Sequence, residues 1–354
     1  MMMKLHTKIG RAGILSLAAL ILLLGAAGIL EIFRQDTARD LSDQWAARRW
    51  EKNGYAQISG YFPEGAGDVP GRIYSLTAAV DKALQDASLS AADGGRLWYC
   101  AYSGETDMYA RTEREAANVR VTVFGGEYFY IHIPELISGS YLSPGGENAG
   151  YVFLDEAAAW KLFGALNVVG MPLTLGDGQY TVCGVGRIPR GTVCDEAYGE
   201  MPRAYILFDS PAVSAAQRIS VYEAVLPDPV SGFARDLFKT HFAPGEDAVV
   251  VENSARFALP AMWEYITHMD ALGMRTSPVM YPWWENVAQV AQYRCACILI
   301  AQIVLVSLAL LLCLVWLGIA WKPAMDAIGR GFRWGREWTE DTYNRLTRPK
   351  HTSE

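Results

Sequence analysis

The 354-residue sequence has no phosphate loop of the G-x-x-x-x-G-K-[ST] type and no G-x-S-x-G nucleophile turn. Gly184-Val185-Gly186 lacks the third glycine and the following helix that a dinucleotide site needs. The five histidines, His6, His132, His241, His268 and His351, are scattered, and none has a second ligand at metal spacing. Glu113 and Glu115 suit a solvated surface, and Asp155-Glu156 suits a helix start. The sequence therefore offers no catalytic, cofactor-binding or metal site, and the chain is read as a non-enzyme that needs no cofactor.

Cysteine is also scarce. Cys295, Cys297 and Cys313 fall inside an apolar run, where they serve as small packing residues. Cys100, Cys183 and Cys194 lie outside it, and three cysteines close at most one internal bridge. Cys183 and Cys194 are the one candidate pair. Ten residues separate them, including Gly184, Gly186, Pro189 and Gly191, and a turn there could bring the sulfurs within bonding distance in an oxidising compartment. A buried free thiol at Cys183 in a strand is the alternative, and the spacing leaves both open.

Two long stretches lack charge altogether. Ala12 to Leu30 is ended by Glu31, and Cys295 to Trp321 by Lys322. Each has the roughly 20 apolar residues that cross a bilayer core. Lys4, Lys8 and Arg11 precede the first, and Lys322, Arg330, Arg333 and Arg336 follow the second. These basic flanks put both termini in the cytoplasm and the intervening segment outside the plasma membrane. A cleaved signal peptide is the rival reading of the first run, which is longer than the usual apolar core of about 7–15 residues.

The formal charge of −7 is unevenly spread. Setting aside three bases before the first run, and seven bases and five acids from Lys322 onward, leaves 21 bases and 33 acids between them. A segment this acidic excludes nucleic acid as its partner.

The expected organisation is a cytoplasmic N-terminus (1–11), a first span (12–33), a stalk (34–54), an outer domain (55–253), a second stalk (254–294), a second span (295–321) and a cytoplasmic tail (322–354). Arg34 to Trp50 reads as a helix continuing the first span. Tyr55 to Phe62 reads as a strand, and Asp68-Pro70 as a helix start. Ile73, Leu76, Val80 and Leu84 make one helical face, and Leu97 to Tyr102 and Val119 to Phe124 are further strands. Ile219 to Leu226, a helix around Phe233, Leu237 and Phe238, and Ala248 to Val251 form a second β-α-β. Together these make an α+β fold: a split, ferredoxin-like lobe (55–127 and 216–253) with a mostly β lobe (128–215) inserted.

Within the insert, Asp155 caps a helix over Glu156–Phe163 that Gly164 ends. Gly176-Asp177-Gly178 turns a hairpin. Tyr128-Phe129-Tyr130 reads as core aromatics in a strand. Phe257 to Arg294 is again helical, broken at Pro260, Pro278 and Pro282, and Trp283, Trp284, Trp316 and Trp321 suit interfacial anchors of the second span, although Trp283 and Trp284 could equally pack inside the stalk. In the tail, Met325, Ile328 and Phe332 beside Trp334 and Trp338, with interspersed arginines, suit a helix lying on lipid.

One ordered set of short segments carries a family likeness. Gly126-Glu127-Tyr128-Phe129 leads to Leu136-Ile137-Ser138-Gly139-Ser140-Tyr141-Leu142 and Tyr151-Val152-Phe153-Leu154-Asp155-Glu156. Leu162-Phe163-Gly164, Val169-Gly170, Tyr180-Thr181-Val182-Cys183-Gly184-Val185 and Pro202-Arg203-Ala204-Tyr205-Ile206 follow. This order resembles the MacB-like periplasmic core domain of ABC transporter permeases of the MacB/FtsX type, over roughly Tyr55 to Val251. The resemblance implies a membrane subunit of an ABC-type system, working with an ATP-binding cassette subunit and other permease subunits, with no catalytic residue in the outer domain. Such permeases usually carry four spans, one before the outer domain and three after it, whereas here one follows. An accessory or partial permease subunit is the reading that accommodates the difference, and a two-span surface sensor or binding protein is the alternative.

Overall fold

The computed structural model describes residues 2–39, 41–50, 54–63, 69–89, 95–191, 193–213, 219–242, 248–268 and 281–347. Asp68 and Pro278, read above as a helix start and a helix break, lie outside them. The chain forms two compact units, Met1–Phe33 with Cys297–Glu354, and Arg34–Ala296.

The first unit holds most of two long helices. Helix α1 runs Met2–Arg39 and α9 runs Trp283–Thr347. Gly13–Arg39 and Trp283–Ile319 are long and apolar enough to cross a membrane. Leu15, Leu22, Leu310 and Leu317 stand exposed along them. An aqueous protein does not leave such a continuous apolar surface open, and lipid is the environment that covers it. Within this unit Gln302 Nε2 donates to Ala27 O (3.2 Å) and Glu31 Oε2 (3.1 Å), and a Cβ on Gly13 would lie 3.7 Å from the Trp316 ring. The two helices therefore run antiparallel. The tail pattern after Lys322 continues α9 to Thr347 instead of opening a separate helix.

The second unit is built on one ten-stranded sheet. Its strands are β1 (Tyr55–Tyr61), β2 (Tyr99–Arg111), β3 (Ala116–Gly126), β4 (Leu136–Gly139), β5 (Tyr151–Asp155), β6 (Pro172–Leu175), β7 (Gly178–Gly186), β8 (Arg203–Leu207), β9 (Val221–Pro227) and β10 (Val249–Glu252). The order is β10-β1-β9-β2-β3-β8-β5-β7-β4, with β6 paired to both β2 and β7.

The first four of these strands, all antiparallel, are the ferredoxin-like half. Helices α3 (Val69–Asp86) and α7 (Phe233–Phe242) cover one of its faces. Ile58, Leu76, Val80, Tyr222, Leu226 and Phe238 form the core between them.

The rest closes on itself. Pairing from β2 through β3, β8, β5, β7 and β6 returns to Ala110 and Arg111 of β2, making a small barrel. Val121, Val123, Val152, Leu154, Val182 and Ile206 fill it, with Leu162 of α5 (Glu156–Phe163). Helix α5 starts and stops as its sequence directs. Asp155 Oδ1 accepts from Ala158 N at 2.7 Å, and Gly164 takes a left-handed φ of 69° that other residues adopt at a cost. The β6–β7 turn places Gly176 at φ 55°.

Two local expectations are corrected. The helix entering the second unit ends at Arg39, followed by a 3-10 turn (Ser42–Gln44) and the short α2 (Ala46–Trp50), so Arg34–Trp50 is not one rod. The break has local causes. The Trp45 indole donates to Ala38 O at 2.9 Å, and Gln57 Oε1 accepts from Ala46 N at 2.8 Å, drawing the chain onto the sheet. Tyr128–Ile131 is a single helical turn, α4, not a strand; Tyr128 and Phe129 are buried, and Tyr130 is exposed. Of the two readings of Trp283 and Trp284, the structure has them packed inside the second unit, where both are buried.

Candidate functional site

The face of the ferredoxin-like half opposite α3 and α7 carries polar side chains that are nonetheless buried. In β1, Ala56 and Ile58 face the helices, and the alternate set Gln57, Ser59 and Tyr61 points the other way. Helix α2 and the first turns of α9 lie on that side, with Ala46, Ala47, Trp284, Val287, Ala288 and Ala291 buried.

Two polar clusters occupy this layer. In the first, His132 sits between two carboxylates, with Nδ1 3.2 Å from Asp43 Oδ1 and Nε2 2.5 Å from Glu223 Oε2. Ser59 Oγ donates to Glu223 Oε1 (2.8 Å), and Asn253 Nδ2 donates to Ser59 Oγ (2.7 Å). Arg49 of α2 donates to the carbonyls of Tyr130 (3.0 Å) and Ile131 (2.6 Å), which fixes the end of α4 where His132 stands. Gln57 Nε2 donates to Asp43 O at 2.6 Å. Burial opposes charging the imidazole, but the Glu223 and Asp43 carboxylates outweigh it and raise the His132 pKa to about 9. The imidazolium is thus the working form. Both ring nitrogens are committed to carboxylates, so neither remains for a metal or a proton-transfer step. Among the described residues there is no group of three or more His, Cys, Asp or Glu arranged to hold a metal.

The second cluster fastens α9. Glu285, in its first turn, is fully buried. Arg256 Nη1 donates to Glu285 Oε2 at 2.9 Å, and Nη2 to Oε1. Tyr61 OH donates to Glu285 Oε2 (2.8 Å) and Gln289 Nε2 to Oε1 (3.1 Å). Arg256 also reaches Gln44 Oε1 (3.2 Å) and Gln292 Oε1 (3.0 Å). Trp284 joins the clusters, its ring centroid 4.4 Å from that of His132.

Beside them lies a narrow cleft bordered by Phe129, His132, Asp155, Tyr198, Tyr205 and Trp283. It is partly open to solvent, and its space of about 30 Å³ matches a water or two. Tyr198 OH donates to Asp155 Oδ2 at 2.9 Å, and burial pushes the Asp155 carboxyl up to about 6. Arg203 donates to Glu105 (2.9 Å) and to Tyr198 O (3.0 Å).

Cys183, in β7, and Cys194, at the start of α6 (Cys194–Ala197), are free thiols in this structure. Cys183 is half-buried in β7, and desolvation lifts its thiol to about 11. The groups that do meet, Asp43 with His132 and Glu223, and Tyr61 with Arg256 and Glu285, are far apart in sequence. The only trace they leave is the polar alternation of β1.

No family model matches the chain, and no curated protein matches it. Solved structures resemble its outline. The periplasmic region of MacB from Actinobacillus actinomycetemcomitans is 14% identical with a TM-score of 0.39, over 62% of this chain and 94% of that one. The extracellular domain of the ABC-type transporter YknZ from Gram-positive bacteria is 17% identical with a TM-score of 0.35, over 55% of this chain and 99% of that one. At these values no residue assignment passes from either to this chain.

Proposed function

We propose that the chain is a non-enzymatic membrane subunit of an ABC-type transport system, with both termini in the cytoplasm and Arg34–Ala296 as an extracytoplasmic head. ATP hydrolysis belongs to a separate cassette subunit, since the sequence carries no phosphate loop. The head contacts a substrate or partner and exchanges motion with that subunit through the helices that enter and leave it.

The observation that carries this reading is the rooting of α9. One uninterrupted helix runs from Glu285, clasped by Arg256 and Tyr61 inside the head, through an apolar stretch long enough to span a bilayer. The root of that helix is packed into the head's interior, which is close-packed and deforms little. The order of short segments that resembles MacB-like domains supports the same assignment. Affinity purification of the full chain from its native membranes in mild detergent tests it. Co-recovery of an ATP-binding cassette protein is expected. Recovery of the chain without any ATPase, across several mild detergents, would remove the assignment.

A further inference from the structure

We propose that α9 pairs in parallel with α9 of a second copy of this chain, along an apolar stripe that crosses the membrane and continues past its edge. The proposal rests on α9 spanning the membrane and is independent of any ATPase partner.

The stripe lies on a side of α9 that α1 does not use. Gln302 bonds Ala27 O and Glu31 of α1, Trp316 stands over Gly13, and Ala309, midway between them, is 3% exposed. These three positions mark the line along which α1 lies. At 3.6 residues per turn the stripe runs roughly 120° away round the helix. From Leu314 it passes through Leu317, Trp321, Met325, Ile328 and Phe332, each three or four residues after the last and all exposed. The two successive steps of four at Trp321 form a stutter, which paired helices absorb by a local change of winding. Exposed apolar side chains in ones and twos, such as Leu259 and Trp263 on α8 (Leu259–Thr267), are ordinary on a protein surface; a row this long is not.

The occupant follows from where the stripe ends. The uncharged run stops at Trp321, and α9 continues without a break to Thr347, about 39 Å further at 1.5 Å per residue. The polar layer of a bilayer is only about 5–7 Å thick on each side. Lipid therefore covers the first part of the stripe and not the part around Phe332, which is 78% exposed. The cover must be a helix that crosses the bilayer and leaves it at the same level. A second α9 does so by symmetry, since a parallel two-fold pair sets each stripe residue against its own counterpart.

The outer part of α9 suits such a pair. Beyond Phe332 the spacing is kept by Gly335, Thr339 and Thr342. Thr339 Oγ1 donates to Gly335 O (3.0 Å) and Thr342 Oγ1 to Trp338 O (2.7 Å), so neither hydroxyl needs water and both residues can face another helix. In a parallel pair, flanking residues five apart in sequence meet across the seam. That sets Trp338 beside Tyr343 of the second copy, and Gly331 beside Arg336, so neither contact opposes like charges.

The test uses the full chain in isolated native membranes, with its six cysteines changed to alanine and one cysteine restored as Ile328→Cys or Phe332→Cys, or as Glu337→Cys on the far side of the helix. A disulfide needs Cα atoms within about 7 Å, so mild oxidation should link two copies of the chain at 328 and at 332 and not at 337. Two differently tagged copies should also be recovered together, and Ile328→Glu with Phe332→Glu should abolish that recovery. Unchanged thermal unfolding of each variant confirms that its head is folded. Absence of crosslinks at both 328 and 332 would overturn the proposal. Equal crosslinking at all three positions would do the same, by reducing the contact to random collision. So would crosslinks from 328 and 332 to a different protein alone, which would assign the stripe to another subunit.

Discussion

Arg256 grips both oxygens of Glu285 with the two ends of its guanidinium, and each side chain is all but sealed from solvent. Glu285 belongs to the helix that leaves the head for the apolar span, so this pair ties the head's interior to that helix. A buried pair of this kind adds little over an apolar replacement, but loss of one partner strands a charge. Glu285→Gln or Arg256→Gln is therefore expected to destabilise the head by about 3–5 kcal/mol. The double change Arg256→Met with Glu285→Leu should recover much of that loss. Thermal unfolding of the full chain, followed by near-ultraviolet circular dichroism, measures both.

His132 gives the head a pH response of definite sign. Its pKa is raised from 6.5 to about 9 by Glu223 and Asp43, against burial. The folded state holds the proton more tightly, so the stabilisation is complete below pH 6.5 and is lost as pH rises through 9. At 1.36 kcal/mol per pKa unit the loss amounts to at most about 3 kcal/mol. The head's unfolding temperature should fall between pH 6.5 and 9 in the native chain. His132→Gln should lie lower at pH 6.5 and show little slope across that window.

Asp155 behaves differently although it too is buried. Burial raises its pKa to about 6, so the folded state favours the neutral acid, and stability declines as pH rises from 3.8 through 6. Its cap to Ala158 N uses Oδ1 and its bond from Tyr198 OH uses Oδ2, and an asparagine can keep the first with its oxygen and the second by donating its amide to the tyrosine oxygen. Asp155→Asn keeps an acceptor and removes the charge, so at pH 7.5 it should be at least as stable as the native chain and lack the decline. Asp155→Ala should be less stable than Asp155→Asn by about 1 kcal/mol or more, from the lost cap. Denaturant titrations at pH 4.5 and 7.5 distinguish the three.

The sidedness of the chain is open to direct labelling. In a cysteine-free background, a membrane-impermeant maleimide added to intact cells, with outer layers permeabilised where present, should modify Ser143→Cys, on the surface of the head, and not Glu340→Cys in the tail. Modification of Glu340→Cys alone, or of both, would contradict the proposed topology.

Much of this architecture was legible in the sequence because its signals are local. Asp155 and Gly164 bracket α5, and Gly176-Asp177 turns β6 into β7. Ile73, Leu76, Val80 and Leu84 fall on the packed side of α3. The candidate site was not legible because its partners meet only in three dimensions. Alternation in β1 separates Gln57, Ser59 and Tyr61 from Ala56 and Ile58, and an alternating strand commonly turns its polar side to water. Here α2 and the root of α9 cover that side, and the polar set becomes the lining of two buried clusters. Trp283 and Trp284 left two readings open for a related reason. Their nearness to an apolar run suggests a membrane belt, whereas they begin the part of α9 that is packed inside the head. The bend after Arg39 depends on Gln57 and Ala38, contacts that no periodicity reports.

The central claim is that motion driven by ATP in a partner subunit reaches the head through the root of α9. Hydrogen exchange on the complex purified from native membranes, with and without ATP, tests it most directly. The account predicts that nucleotide changes exchange over residues 283–296, and in the Asn253–Phe257 segment that holds Arg256, while the barrel strands β5 and β7 stay unchanged. Identical exchange at the root in both states, with the partner bound and hydrolysing ATP, would contradict it.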